Sequence, residues 1–200
     1  IRDRATAYKR ADLIFHDTNR LIDIAKRKGK IQLVFAGKAH PKDNSGKDLI
    51  HKIIYESQQI KEHIKIIYLE NYDMDLGKIL TSGVDLWLNT PRKPKEASGT
   101  SGMKAAHNGV PSFSILDGWW VEGCIEGITG WSIGSAANFE SIDHEEANSL
   151  YQKLEMEIIP TYYQQRDKWN NIMRHCIAIN ASFFNTHRMV LQYVSNAYLA

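Results

Sequence analysis

The feature that most constrains this chain is a repeated alternation of two patterns. Short apolar runs, each closed by a turn residue, are separated by stretches with apolar residues every three or four positions. IQLVFAG, KIIYLEN, VDLWLN and VPSFSIL are the short runs. Nearly continuous apolar character over so few residues is the pattern of strands buried on both faces of a sheet. KDLIHKIIYESQQI, DLGKILTSG and the stretch through MKAAHNG lie between them and have helical character. Strand, helix and strand in succession require right-handed crossovers, and therefore an α/β fold with a mostly parallel sheet. Ahead of the first run no clear strand is visible. Apolar residues at Ala11, Ile14, Phe15, Leu21, Ile22 and Ala25, with a gap at Thr18, predict one amphipathic helix from Tyr8 to a stop at Gly29.

Beyond Gly134 the pattern turns helical. HEEANSLYQKLEMEII and the segments around QQRDKWNNIMRHCIAI and THRMVLQYVSNAYL read as helices, with Pro160 separating the first two. The expected organisation is a sheet domain over 1–140 and C-terminal helices over 141–200 packing on it. A chain of 200 residues that is 43% hydrophobic can bury one ordinary core. Its 25 basic and 23 acidic residues nearly cancel, so neither a nucleic-acid surface nor a membrane-binding charge is expected from the balance. Cys124 and Cys176 lie far apart with no metal-ligand spacing, and read as buried free thiols. No apolar run is long enough to span a bilayer, and a cytoplasmic protein is expected. The chain opens on Ile1 rather than Met, from which a fragment of a longer protein is expected.

In an open parallel sheet, ligands bind where the carboxyl ends of strands meet helix N-termini. AGKAHP, LENYDMD, NTPRKPKEASGTSGMK and DGWWVEG all fall at such ends. The third is the most informative. Ser98, Gly99, Thr100, Ser101 and Gly102 form a loop entering a helix, offering backbone N–H groups and hydroxyls to a phosphate or a sugar. A helix running through Met103, Lys104, Ala105 and Ala106 to Asn108 and Gly109 places Lys104 in its first turn, where a cation gains nothing from the dipole. That placement makes sense if the amine is bonded or paired with an anion. On composition alone a plain strand-to-helix connection is the better explanation of the glycine and serine content.

Other candidates are weaker. Tyr8, Lys9 and Arg10, with Arg4 upstream, read as a solvated basic helix start. Tyr72 is either a stacking ring or a half-buried core tyrosine, and Trp119 with Trp120 is either a sugar shelf or core. His40 and His107 lack partners at metal-ligand spacing, so no metal site is expected, and Asp73 with Asp75 reads as a helix start.

KRADLIF, VFAGKAHPKD, LENYD, VDLWLNTPRKPKEASGTSGMKAAHNGV, SILDGWW and HRMVLQYV together resemble the bacterial and archaeal type of α-glucan (glycogen, starch or maltodextrin) phosphorylase. The likeness runs in order along almost the whole chain and covers the C-terminal half of such an enzyme. It implies a Rossmann-like domain of a GT-B glycosyltransferase. It also implies phosphorolysis of terminal α-1,4-glucosidic bonds to glucose 1-phosphate with retention. Pyridoxal 5′-phosphate is implied as a Schiff base on Lys104, its phosphate assisting proton transfer. By the same resemblance Glu96, Ser98 and Gly99 hold the transferred glucose and Thr100 grips the cofactor phosphate. Tyr72 lies near the cofactor ring, while Arg4 and Lys9 face the phosphates with Tyr8 beside them. The implied partners are an α-1,4-glucan, inorganic phosphate and the enzyme's N-terminal domain, and a homo-oligomer is left open. Asp3 departs from the family, which carries a basic residue there. A sugar-nucleotide-dependent glucan synthase of the same architecture and a non-catalytic glucan-binding module are the alternatives.

Overall fold

The computed structural model describes residues 5–135 and 137–199. Among these residues five strands form two parallel sheets. In the first, β1 (Gln32–Ala36) pairs with β2 (Lys65–Leu69), Gln32 opposite Lys65 and Ala36 opposite Leu69. The second runs β3 (Trp87–Asn89), β4 (Ser112–Ile115) and β5 (Gly130–Ile133), in that order. The helices before and among these strands are α1 (Thr18–Arg27), α2 (Asn44–Ile60), α3 (Met74–Gly83), α4 (Thr100–His107) and the short α5 (Trp120–Gly123). The tail holds α6 (Asp143–Lys153), α7 (Ile159–Gln164), α8 (Arg166–His175) and α9 (Thr186–Tyr193). Parallel sheets flanked by helices are the layered arrangement of a Rossmann-like fold.

All four apolar runs became strands. β5, in TGWSIG, was not foreseen, because its Gly130 masks the pattern. At Gly130, with φ +148, an added Cβ would lie 2.0 Å from the Ser112 carbonyl, so only glycine lets β5 approach β4 this closely.

Burial departs from expectation in one half of the molecule. Every residue of β4 and β5 is buried, but in β1 only Phe35 and Ala36 are, and none in β2. β1 and β3 are not paired with each other. A groove of about 590 Å³ separates them, lined by Leu33 and Val34 on one side and Leu88 and Asn89 on the other. The inner strand of the first sheet therefore faces open space where a neighbour would cover it.

The single helix expected from Tyr8 is three pieces: 3-10 turns at Ala7–Lys9 and Leu13–Phe15, then α1. Arg10 adopts the left-handed conformation (φ 42), which ends the first turn. The gap at Thr18 marks the true helix start, because the Asp17 carboxylate accepts a hydrogen bond from the Arg20 N–H and caps it. In the tail, Pro160 does not separate two helices. It sits in the first turn of α7, reached through a π-turn at Leu154–Ile158, and the chain breaks later, at Gln165 (φ −129, ψ 60). The π-turn carries the helix on from α6 through the proline.

The core joins both halves of the sequence. Trp131 of β5 stacks on Trp169 of α8 with centroids 5.8 Å apart, and Phe113, Ile115, Ile133, Leu150 and Ile172 are wholly enclosed. The Tyr151 hydroxyl of α6 donates to the Ile14 carbonyl (2.9 Å) and accepts from the Asp17 N–H (2.7 Å). Cys176 is buried and Cys124 half-buried, both free, with burial pushing each thiol up to about 12. Among the described residues no helix is long and apolar enough to cross a membrane.

Candidate functional site

The site starts with the segment that leads into α1. The Ala5 N–H donates to the Lys38 carbonyl just past the end of β1 (2.9 Å), and the Arg92 N–H donates to the Tyr8 carbonyl past β3 (2.7 Å). The Thr90 hydroxyl lies 3.0 Å from the Lys9 carbonyl and 2.9 Å from that of Arg10. So fixed, the segment turns Lys9 inward, and its ammonium forms an ion pair with the Glu96 carboxylate. Both side chains are less than a tenth exposed. A buried charge without a partner is costly, so the two are buried as a pair. The Lys9 ammonium also lies 4.9 Å from the centre of the Tyr8 ring.

Arg10 is the reverse of the solvated cation expected there. It is buried, paired with Asp143 (2.8 Å) and Glu146 (2.6 Å), and donates to the carbonyls of Thr90 and Pro91. Burial pushes the Asp143 carboxyl up, but Arg10 and then Arg92 outweigh it and hold it below the ordinary range. The guanidinium needs several acceptors in fixed directions, and α6 supplies one, Asp143, with the Glu146 carboxylate beside it as a second negative charge. Nothing in the sequence near Arg10 points to residues so far downstream. Lys93 is likewise buried, donating to the carbonyls of Ser135 and Asn138.

The loop carrying Glu96, Ser98 and Gly99 is held from the β4 side. The Asp117 carboxylate accepts from the N–H of Glu96 (2.8 Å) and of Gly118 (3.0 Å), while the Trp119 N–H donates to the Ser98 carbonyl (2.8 Å). At Gly118 (φ +57) an added Cβ would meet the Ser98 oxygen at 2.6 Å. Asp117 thus positions the glutamate loop, a role its place before the tryptophan pair did not suggest. The only available signal was the Asp-Gly turn itself. Trp119 and Trp120 are both buried, so the sugar-shelf reading fails and they are core.

Gly99, in the left-handed conformation (φ 83), ends the loop and opens α4. Thr100, Ser101 and Gly102 are therefore helical, and Lys104 lies in the last turn instead of the first. A cation there is favoured by the helix dipole, which removes the argument that its position alone calls for a bonded amine. The Lys104 side chain is exposed; Thr100 and Ser98 are half-buried. Tyr72 is half-buried and packs on the cluster that contains Ala36, Trp87 and Ala105, the residue after Lys104. Gly77 makes room for that ring, since an added Cβ would lie 2.6 Å from the Tyr72 hydroxyl.

The structure thus brings Tyr8, Lys9, Glu96 and Gly99 together, with Thr100 and Lys104 on the adjoining helix and Tyr72 against it. Arg4 and Asp3 lie outside the described residues. His40 and His107 are exposed and bonded to backbone groups, Asp73 caps α3, and no cluster among the described residues could hold a metal ion.

A family model described as carbohydrate phosphorylase matches residues 3–130. The chain is 46% identical over 199 residues to a maltodextrin phosphorylase of Thermococcus litoralis, covering 98% of this chain and 24% of that protein. It is 41% identical over 201 residues to a glycogen phosphorylase of Aquifex aeolicus, with 98% and 29% covered. With a glycogen phosphorylase of Mycobacterium tuberculosis the identity is 38% over 204 residues, with 98% and 24% covered. The chain therefore spans roughly a quarter of the length of these relatives. Its fold, the run of residues around Glu96 and Lys104, and these matches agree that the chain belongs to the carbohydrate phosphorylase family.

Proposed function

We propose that this chain is the cofactor-bearing part of an α-glucan phosphorylase, which cleaves terminal α-1,4-glucosidic bonds with inorganic phosphate to give glucose 1-phosphate with retention. The observation that carries the reading is the buried Lys9–Glu96 pair, set beside the glycine that opens α4. An acceptor-only carboxylate suits sugar hydroxyls, and a buried ammonium suits a phosphate. A substrate presenting both groups would take each partner from the other, so neither charge is left unpaired on binding. Ser98 and Gly99 border the same loop and would complete the glucose contacts. Arg4 would add a second cation for the phosphates. Residues 1–140 would carry this site and 141–200 would brace it.

The residues present fit pyridoxal 5′-phosphate. Lys104 is an exposed primary amine, Tyr72 offers a ring against the same helix, and the start of α4 at Gly99 and Thr100 supplies N–H groups and a hydroxyl for a phosphate. When bound, the group would supply a phosphate whose second ionisation near neutrality lets it give and take a proton. The remaining parts would be supplied by the rest of the polypeptide, the glucan and inorganic phosphate, in the cytoplasm.

The test uses the full polypeptide: glucose 1-phosphate release from maltodextrin and phosphate, with and without added pyridoxal phosphate. Borohydride reduction followed by mass spectrometry should place a pyridoxyl group on Lys104. An active enzyme with Lys104 unmodified would refute the cofactor assignment, and glucose transfer from a sugar nucleotide without phosphate would favour a synthase.

A further inference from the structure

Building on the reading of Lys9 as a cation that faces phosphate, we infer that Arg10 is a positioning residue for that ammonium, and that α6 acts on the site through it. Among the described non-glycine residues a positive φ occurs at Arg10 (φ 42) and at Asn71 (φ 54). Asparagine enters this region readily and arginine does not, so the backbone at Arg10 is held there by its surroundings. The side chain supplies the hold. Its Nε donates to the Thr90 carbonyl (3.1 Å), Nη2 to the Pro91 carbonyl (2.8 Å) and Nη1 to Asp143 (2.8 Å). The Ser141 hydroxyl oxygen lies 3.3 Å from Nη2, and the Glu146 carboxylate 2.6 Å from it. A lysine keeps the charge but lacks the planar fork that fills these directions at once.

The clamp closes on Lys9 from the next residue. Thr90, whose carbonyl takes the Arg10 Nε–H, sets its hydroxyl against the carbonyls of Lys9 and Arg10, and the Arg92 N–H binds the Tyr8 carbonyl. Residues 8–10 are therefore tied to 90–92, with α6 fastened to the same guanidinium. Once a sugar takes the Glu96 carboxylate, the pair with Glu96 no longer places the Lys9 ammonium, and its position rests on this backbone. A misplacement of about 1 Å in a group that contacts substrate can cost roughly a hundredfold. Glu96 is held independently, its N–H on the Asp117 carboxylate (2.8 Å). Loss of the Arg10 clamp should therefore weaken phosphate and spare the glucan, a split that general loosening of the fold does not give.

The experiment uses the full polypeptide loaded with pyridoxal phosphate, with Arg10→Lys as the variant. Affinity for inorganic phosphate is measured by titration calorimetry, and the KM values for phosphate and maltodextrin by glucose 1-phosphate release. Phosphate affinity should fall at least about tenfold, with its KM rising to match, while the KM for maltodextrin moves less than about twofold. Glu146→Gln removes one carboxylate beside Arg10 and keeps the side-chain volume. It should weaken phosphate by about threefold with the same split, and it carries the test if Arg10→Lys does not fold. Unchanged phosphate affinity, or equal losses for phosphate and maltodextrin, would overturn the inference and leave the phosphorylase reading standing. A parent protein that releases no glucose 1-phosphate would overturn that reading, and the inference with it.

Discussion

The two sheets were written in the same sequence dialect and ended in different environments. β4 and β5 are enclosed by α8, the tail and the tryptophan cluster, whereas β1 borders the groove and no residue of β2 is buried. An apolar run declares that a strand wants cover on both faces; it does not say what provides the cover. The site lies across this division, because Lys9 is held at the end of both sheets and Glu96 by the loop after β4.

The contrast breaks most visibly through core truncation. Trp131→Ala should cost about 3–5 kcal/mol, while Val34→Ala, on the groove, should cost about 1 kcal/mol or less, both by urea unfolding of this chain. Equal losses would mean that both sheets are equally enclosed, and would dissolve the comparison. Next in size is the tie to the tail. Glu146→Ala removes one of two carboxylates from buried Arg10 and should cost about 3 kcal/mol, with Glu146→Gln milder because the side-chain volume is kept. Gly102→Ala should cost about 1–3 kcal/mol, since the new methyl would lie 2.8 Å from the Trp119 indole nitrogen. Its effect should fall on the β3–β4–β5 side, seen as faster exchange in β4 than in β2. Asp73→Ala, which uncaps α3 before β3, should cost about 1 kcal/mol.

The smallest effect is a pH dependence. Asp143 is depressed in the folded state, so its contribution is full above the ordinary carboxylate range and is lost as pH falls through its lower folded value. Its side chain is about half exposed, which limits the contribution to roughly 0.2–1 kcal/mol. Asp143→Asn should therefore lie slightly below the parent protein at neutral pH and converge with it in strong acid. A gap that widened toward acid would refute the sign.

Much of the fold was legible because periodicity records local demands. The apolar runs located β1 to β4, and Asp73 before LGKIL announced a cap. What escaped involved distance or geometry. β5 was hidden because Gly130 is chosen for contact with Ser112 and not for apolar character. Arg10 looked like a surface cation because its carboxylates arrive with α6. The site was legible to the same degree. Glu96, Gly99 and Lys9 could be named, yet their pairing is a tertiary fact, and the turn occupied by Lys104 was misplaced because Thr100 to Gly102 look like loop residues and are helical. Asp117 was passed over since it binds backbone groups alone.

The phenol of Tyr151 and the pair between Arg10 and Glu146 join positions separated by some 135 residues of chain. During synthesis at about 5–20 residues per second, that separation is roughly 7–27 seconds. For that interval the segment carrying Lys9 has emerged without the helix that fastens it. The arrival of α6 thus sets when the segment from Tyr8 to Asp17 takes its final place.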